Sequence, residues 1–182
     1  MPTRQMPLPS RWLMTDERVG DSLWTALDRL PRDGGVVFRH HATPASERRV
    51  LAGQVADFCR AHDLTLAVAR DVGLAREVRA GLVHNPVGPC DGLPTSRSAH
   101  SIAEARAAEE AGAFLLFVSP LFATASHPAA RPIGIDGGLA IVRAVGVPAI
   151  ALGGMTEERG LAAIRAGFHG WAAIDAWSKP GA

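Results

Sequence analysis

The chain has 182 residues, of which 47% are hydrophobic, and its formal net charge is +1. This length and composition suffice for a single domain over residues 1–182 with a substantial core, and the near-neutral charge gives no reason to expect a nucleic-acid partner. The single lysine, Lys179, stands close to the C-terminus, which excludes a Schiff-base or P-loop lysine from the body of the chain.

Cysteine usage and hydropathy predict where the protein resides. Cys59 and Cys90 are far apart and form no CxxC motif, which fits a reducing compartment. Residues 1–10 are Pro-rich, lack the apolar core of a signal peptide and are expected to be flexible. No apolar run approaches the ~18 residues of a membrane helix. We therefore expect a cytoplasmic protein with no membrane partner.

Apolar runs and helical spacings alternate through the first half of the chain. Strands are predicted at 12–15, 36–38, 64–69 and 82–83. Helices are predicted between them, where apolar residues recur at intervals of three and four: 22–30, 44–62 and 72–79. Polar residues stand at or just beyond the strand ends: Asp16, Arg39, His40, His41, Arg70, Asp71 and His84.

The same alternation continues in the second half. Strands are predicted at 95–98, 114–118, 147–152 and 170–174. Helices are predicted at 102–111, with Ser101 and Glu104 as a capping box, and at 156–166. A long Pro- and Gly-containing loop is expected to reach Gly138. Residues 176–182 are too few for a full last helix and are expected to form a short tail.

Eight apolar strands that alternate with helices predict a compact (β/α)₈ TIM barrel with a reduced last helix. The alternative is an open doubly wound sheet, which would require a Gly-rich first turn, and residues 15–18 are not one. In a barrel the strand ends listed above would meet at one mouth.

Gly153 and Gly154 stand between an apolar strand and the start of a helix. Such a pair lets the backbone approach a ligand closely, and the amide groups of a helix N-terminus favour anions. These features indicate a phosphate site, although a plain tight turn has the same sequence.

Side chains at the strand ends suggest acid-base chemistry, metal binding or ligand binding. Five histidines lie at or beyond these ends: His40, His41, His84, His100 and His127. With Asp16, Asp71 and Asp175 they could share proton transfer or bind a transition metal, although no HxH or HExxH motif supports a metal. Arg39 and Arg70 could hold a phosphate, or pair with Asp16 or Asp71. The hydroxyls of Ser98, Thr124 and Ser126 suit a ligand headgroup.

Taken in order, these segments resemble the thiamin phosphate synthase and thiazole tautomerase (TenI) superfamily. The matching stretches are 12–16, Arg39, 98–101 with 104–105, 112–113, 120–124, Gly134, 147–155 and 166–167. The resemblance implies a barrel mouth that binds a thiazole phosphate and an aminomethyl-pyrimidine pyrophosphate, with Mg²⁺ assisting the departure of pyrophosphate. A small phosphorylated heterocycle is therefore the expected partner, and a homo-oligomer is a possibility left open.

Several positions depart from the family pattern. Of the family's Gln-x-Arg-x-Lys only Arg39 remains, and the Asn-Asp pair after the third strand is replaced by Ala69-Arg70. Asp71 would recover the metal only through a shift of one residue. Ser126-His127 replaces Thr-Lys, and Asp175 replaces a phosphate-binding serine. The catalytic histidine of the tautomerase branch is Pro120 here.

The sequence therefore predicts a thiamin phosphate synthase-like barrel with a degraded magnesium–pyrophosphate site and weak or absent classical transferase activity. The expected catalytic residues are Arg39, His41, His84 and His100, and Asp71 is the candidate metal ligand. The expected substrate-binding residues are Asp16, Ser98, Thr124, Ser126, His127, Gly153, Gly154 and Asp175. Two alternatives remain: a divergent member that applies His/Asp acid-base chemistry to another small heterocycle, and a non-catalytic ligand-binding barrel.

Overall fold

A computed structural model describes residues 8–124 and 131–178 of the chain. Eight parallel strands form a closed barrel in sequence order, and β1 pairs with β8 to close it. The strands are β1 Arg11–Met14, β2 Gly35–Phe38, β3 Thr65–Ala69, β4 Leu82–His84, β5 Thr95–Ala99, β6 Leu115–Val118, β7 Ala149–Leu152 and β8 Gly170–Ala173. The predicted (β/α)₈ barrel is confirmed, and the open-sheet alternative is wrong.

Helices follow the strands and surround the barrel. They are α1 Ser22–Asp28, α2 Ala45–Ala61, α3 Val72–Glu77, α4 Ile102–Glu110, α5 Gly134–Arg143, α6 Glu157–Ala166 and α7 Asp175–Ser178. A 3₁₀ turn at Glu17–Val19 precedes α1. The last helix has four residues, as the prediction of a reduced final helix requires. No helix within the described ranges is long and apolar enough to cross a membrane.

Large apolar side chains fill the barrel interior. Trp12 and Met14 alternate inward along β1, and the Trp12 ring meets the Phe117 ring edge-on at a centroid distance of 5.5 Å. Gly35 stands beside Trp12 on the neighbouring strand, and a Cβ there would lie 2.3 Å from the indole. The interior is therefore a packed, largely apolar core.

The helix α5 corrects the prediction of a loop as far as Gly138. It begins at Gly134, whose φ of 71° is in the left-handed region that favours glycine. A Cβ on Gly138 would lie 2.5 Å from Leu121 and 2.9 Å from Phe168. The glycines that suggested a loop thus allow this helix to start and to pack closely against the barrel.

Both ends of the described chain are fixed to the barrel wall. Pro9 accepts a hydrogen bond of 2.8 Å from Trp12 Nε1, and Ser10 accepts one of 2.9 Å from the Trp171 amide. Trp177 stacks on Trp171 at 4.8 Å and donates to the Trp12 carbonyl at 3.0 Å. Residues 8–10 of the segment expected to be flexible are therefore packed, and residues 1–7 and 179–182 lie outside the described residues.

Candidate active site

A cavity of about 1060 Å³ opens at the carboxyl ends of the barrel strands. It is the position at which enzymes of this fold carry their reactive groups. Of the residues predicted from the sequence, nine line it: Arg39, His41, His84, Ser98, His100, Thr124, Gly153, Gly154 and Asp175. Asp16 and Asp71 are not among the lining residues, and Ser126 and His127 lie outside the described residues.

Positive charge predominates on the described wall of this cavity. Arg39, Arg70 and Arg131 line it, and Asp175 is the only carboxylate among the described lining residues. Arg131 was not predicted, because it follows the loop after β6 and no local motif marks it. The pKa of Arg18 is raised by its hydrogen bond to Asp16 and by the negative charges of Asp16 and Asp175. The Arg18 guanidinium therefore lies near enough to Asp175 to offset part of its charge. The cavity is thus suited to an anion.

Arg39 is held at the mouth by the end of β1. Its Nε donates to the Thr15 carbonyl at 2.7 Å, and its Nη2 donates to Asp16 Oδ2 at 2.8 Å. Burial tends to raise the pKa of Asp16, but hydrogen bonds from Arg18 and the charges of Arg39 and Arg18 outweigh it and hold the pKa low. Asp16 therefore stays ionised and orients Arg39, which is the ion pair that the sequence left as an alternative.

His40 points away from the cavity and is not one of its lining residues. Its Nδ1 lies 2.9 Å from Thr15 Oγ1, and its ring stacks on Phe38 at 4.9 Å. Burial lowers the pKa of His40 despite the nearby carboxylates of Glu17 and Asp16. His40 is consequently a packed, neutral side chain of the barrel wall.

His84 is buried inside the mouth, next to β5. Its Nδ1 lies 3.0 Å from Ser96 Oγ, and its Nε2 lies 3.2 Å from Asn85 Nδ2. Burial, reinforced by the charges of Arg39, His41 and Arg97, lowers the pKa of His84 to about 3. His84 is therefore neutral at physiological pH and contributes hydrogen bonding but no charge.

His100 follows β5 and faces the cavity from the exposed side. Its Nδ1 lies 2.6 Å from the Ser119 carbonyl oxygen, which can only accept, so Nδ1 carries the proton. In the neutral form of the ring, the lone pair is then on Nε2. The predicted cap is present: Ser101 Oγ accepts from the Glu104 amide at 3.2 Å, and Glu104 accepts from the His100 amide at 2.9 Å.

His41 lies among arginines at the edge of the mouth. Burial and the charges of Arg48, Arg70 and Arg39 lower its pKa, so the neutral imidazole is favoured. It lines both the main cavity and an adjoining outer cavity of about 730 Å³ between α2 and α3.

Asp71 lines that outer cavity. Its Oδ1 accepts the Leu74 amide at 2.9 Å and caps α3, and its Oδ2 accepts from Arg48 Nη1 at 3.1 Å. Both oxygens of the candidate metal ligand are thus already engaged by the protein.

Gly153 and Gly154 adopt φ angles of 96° and 62°. A Cβ on Gly153 would lie 2.7 Å from Pro120 Cα, and one on Gly154 would lie 2.4 Å from the Ala123 carbonyl oxygen. Arg159 packs beside the glycine pair. It donates to the Gly154 carbonyl at 2.6 Å, and its guanidinium carbon lies 4.4 Å from the centroid of the Phe122 ring. The glycine pair therefore serves the packing of two loops as well as lining the cavity.

A magnesium ion has little support from these side chains. No group of three or more His, Cys, Asp or Glu that could hold a metal occurs in the part of the chain that the structure describes. Mg²⁺ prefers carboxylate and phosphate oxygens in octahedral geometry, and in residues 8–124 and 131–178 only Asp175 offers a carboxylate to the cavity. The described residues do not fit the magnesium site that the family resemblance implied.

Comparison with known proteins agrees with this architecture. A sequence profile of the family described as thiamine monophosphate synthase (TMP-TENI) matches residues 14–177. A thiamine-phosphate synthase from Chloroflexus aurantiacus is 35% identical over 158 residues, covering 79% of this chain and 72% of that protein. A thiamine-phosphate synthase from Bacillus cereus is 36% identical over 165 residues, covering 80% of this chain and 74% of that protein.

The fold is also similar to a solved structure, thiamine phosphate pyrophosphorylase from Pyrococcus furiosus. The TM-score is 0.81 at 25% sequence identity, over 96% of this chain and 89% of that chain. The resemblance read from the sequence is confirmed by the profile, the relatives and the structure together.

Proposed function

The chain belongs to the thiamine monophosphate synthase family, and from that membership we propose that its cavity binds a phosphorylated heterocycle of thiamin biosynthesis at the strand ends. Family and fold together support a function in thiamin biosynthesis. The finer proposal has two parts: the phosphate group is bound by arginines and backbone amides, and the magnesium–pyrophosphate site of the family is degraded.

The first part, phosphate binding by arginines and backbone amides, is supported by the excess of arginine in the described cavity wall. Arg39, Arg70 and Arg131 face one cavity with Asp175 as the sole described counter-charge, and guanidinium groups bind phosphate in bidentate geometry. The amides of Gly153 and Gly154 add donors at the start of α6, since neither has an acceptor among the described atoms. Arg39 is pre-positioned for this role by Asp16.

The second part, the degraded magnesium–pyrophosphate site, is supported by the small number of carboxylates available in the described cavity wall. A site for magnesium pyrophosphate needs oxygen ligands that the described cavity supplies only at Asp175. Asp71 is committed to capping α3 and to Arg48. Pyrophosphate would then have to leave with arginine as its main electrostatic partner.

His100 favours a second candidate function, acid-base chemistry on a small heterocycle. Its proton on Nδ1 is fixed by Ser119, so Nε2 can accept a proton from a bound ligand. This reaction would need no metal ligand. It would appear as exchange of a carbon-bound proton of thiazole phosphate with D₂O, seen by NMR and lost in His100→Asn. Absence of exchange in the unmodified protein would reject this candidate.

Calorimetric titration with thiamine phosphate and with thiamine tests the main proposal. Binding should be tighter for the phosphorylated compound by about tenfold or more, because charge-assisted contacts to phosphate are worth roughly 1.5–3 kcal/mol each. Arg70→Ala should remove most of that preference. Arg32→Ala is the matched control, since Arg32 is an exposed arginine paired with Asp63 and does not line the cavity. Equal affinity for both compounds, or no binding, would contradict the proposal.

A further inference from the structure

We propose that Asn85 is a positioning residue whose side-chain amide fixes the tautomer of His84 and directs the hydroxyl proton of Ser98 into the cavity. Asn85 follows β4, while Ser98 lies on β5, so the interaction spans two neighbouring strand ends. Asn85 has a φ of 45°, a conformation that asparagine tolerates better than most residues. No sequence motif marks Asn85, because its role depends on the pairing of the two strands.

The orientation of the Asn85 amide is set by the backbone. The Ser98 N–H donates to one side-chain atom of Asn85 at 2.8 Å, and because an N–H can only donate, that atom is the oxygen. The other atom is therefore Nδ2, which carries two protons. It lies 2.9 Å from Ser98 Oγ and 3.2 Å from His84 Nε2, one acceptor for each proton.

This orientation determines the protonation of His84. An Nε2 that accepts from Asn85 cannot carry a proton in the neutral ring, so the proton is on Nδ1 and is donated to Ser96 Oγ at 3.0 Å. The ring is buried and packs edge-on against Phe117 at 5.0 Å, which restricts its rotation. His84 is thus locked as the Nδ1–H tautomer.

The same orientation leaves Ser98 with one free proton. Its Oγ accepts from Asn85 Nδ2, and its other protein neighbour, His84 Nε2, is 3.4 Å away and already accepts from Asn85. Ser98 lines the cavity, so its hydroxyl proton is available to an acceptor atom of a bound ligand. Asn85, which lines the cavity as well, thereby makes Ser98 a donor.

The His84 tautomer follows from the geometry alone, whereas the contact of Ser98 with a phosphorylated ligand rests on the proposed function. The two can fail separately. If the protein does not bind thiamine phosphate, the proposed function is overturned. The protonation of the two His84 ring nitrogens would still decide whether Asn85 has the proposed role.

Long-range ¹H–¹⁵N NMR of the histidine rings at pH 7 tests the tautomer directly. In the unmodified protein, His84 should show a protonated Nδ1 and a pyridine-like Nε2. In Asn85→Asp, which keeps the oxygen for the Ser98 amide but replaces the donor, Nε2 should become protonated. An Nε2–H tautomer in the unmodified protein would overturn the proposal. This measurement needs no variant and no ligand.

Titration with thiamine phosphate tests the effect on Ser98. Ser98→Ala should weaken binding by about tenfold, and Asn85→Asp by a similar factor, because its carboxylate attracts the Ser98 proton away from the ligand. The double variant should be no weaker than either single variant. Additive losses would overturn the proposal, and Asn85→Ala supplies the same comparison if the aspartate variant does not fold.

Discussion

Gly154 and Ala123 approach so closely that a Cβ on Gly154 would lie 2.4 Å from the Ala123 carbonyl oxygen. Their two loops are also joined by hydrogen bonds from the Leu121 amide to Leu152 and from the Phe122 amide to Gly153, at 2.9 and 3.1 Å. The loops after β6 and β7 therefore form one wall of the cavity. A side chain at position 154 would disturb both at once.

Gly154→Ala should accordingly destabilise the protein by about 3 kcal/mol, of which roughly 1 kcal/mol comes from the left-handed φ and the rest from the clash with backbone. Gly112→Ala is the matched control, because Gly112 has a φ of 76° but open space around it. Urea unfolding should give only the smaller loss for that variant. Similar losses for both would show that the approach to Ala123 is unimportant.

The glycine pair also shows what sequence can and cannot predict. Apolar runs and polar strand ends sufficed to predict the barrel and nine of the residues that line the cavity, because parallel strands bring their carboxyl ends together. The close contact with Ala123 was not predictable, since it joins residues that are 31 positions apart in the chain. Glycine density similarly hid α5, where Gly138 serves helix packing.

Polar partners were harder to predict than polar positions. Asp16, an expected substrate-binding residue, pairs with Arg39 in the structure, and of the two only the arginine lines the cavity. Asn85 and Ser96 went unnoticed because their significance lies in hydrogen bonds between β4 and β5. Which partner satisfies a buried polar group depends on strand register, which periodicity does not specify.

Asp16→Asn should lower the free energy of unfolding at pH 7 by about 1–2 kcal/mol, because the ion pair with Arg39 is largely shielded from solvent. The pKa of Asp16 lies below its ordinary value of 3.8, so its stabilising effect is complete above pH 3.8 and is lost as the pH falls through the folded-state pKa. Urea unfolding should give a constant difference between pH 7 and 8, where the change in the pKa of His40 caused by loss of the Asp16 charge has no effect. A difference that varies across that interval would contradict the assignment.

His84→Gln should flatten the pH dependence of stability. The pKa of His84 is about 3 in the folded protein against an ordinary 6.5, so between these values the unfolded chain binds the extra proton and stability rises with pH. Removing the imidazole should change the stability difference between the two proteins by at most about 1.4 kcal/mol per pH unit below 6.5. Unfolding curves at pH 5, 6, 7 and 8 measure this. The difference should be constant from pH 7 to 8, and a constant difference down to pH 5 would show that His84 titrates normally.

Magnesium-dependent joining of the pyrimidine pyrophosphate to the thiazole phosphate should be very weak or absent. Loss of one well-placed donor for a departing group costs about 10²–10³ in rate. The family resemblance implies that lysines and an Asn-Asp pair are replaced here by His41, His127 and Ala69-Arg70, so we expect several such losses. Chelation of magnesium should leave thiamine phosphate affinity unchanged. Chromatography of product from both substrates is the assay.

Turnover at the level of an ordinary synthase would contradict the loss of the magnesium site, and Asp71 would be the residue to test next. Asp71→Ser keeps the cap of α3 through the serine hydroxyl while removing the carboxylate. Asp91→Ser is its control, because Asp91 is likewise paired with an arginine, Arg76, but lines neither cavity. A magnesium-dependent rate that falls in the first variant and persists in the second would place the metal at Asp71. Equal rates in both would instead leave the arginines as the groups that stabilise departing pyrophosphate.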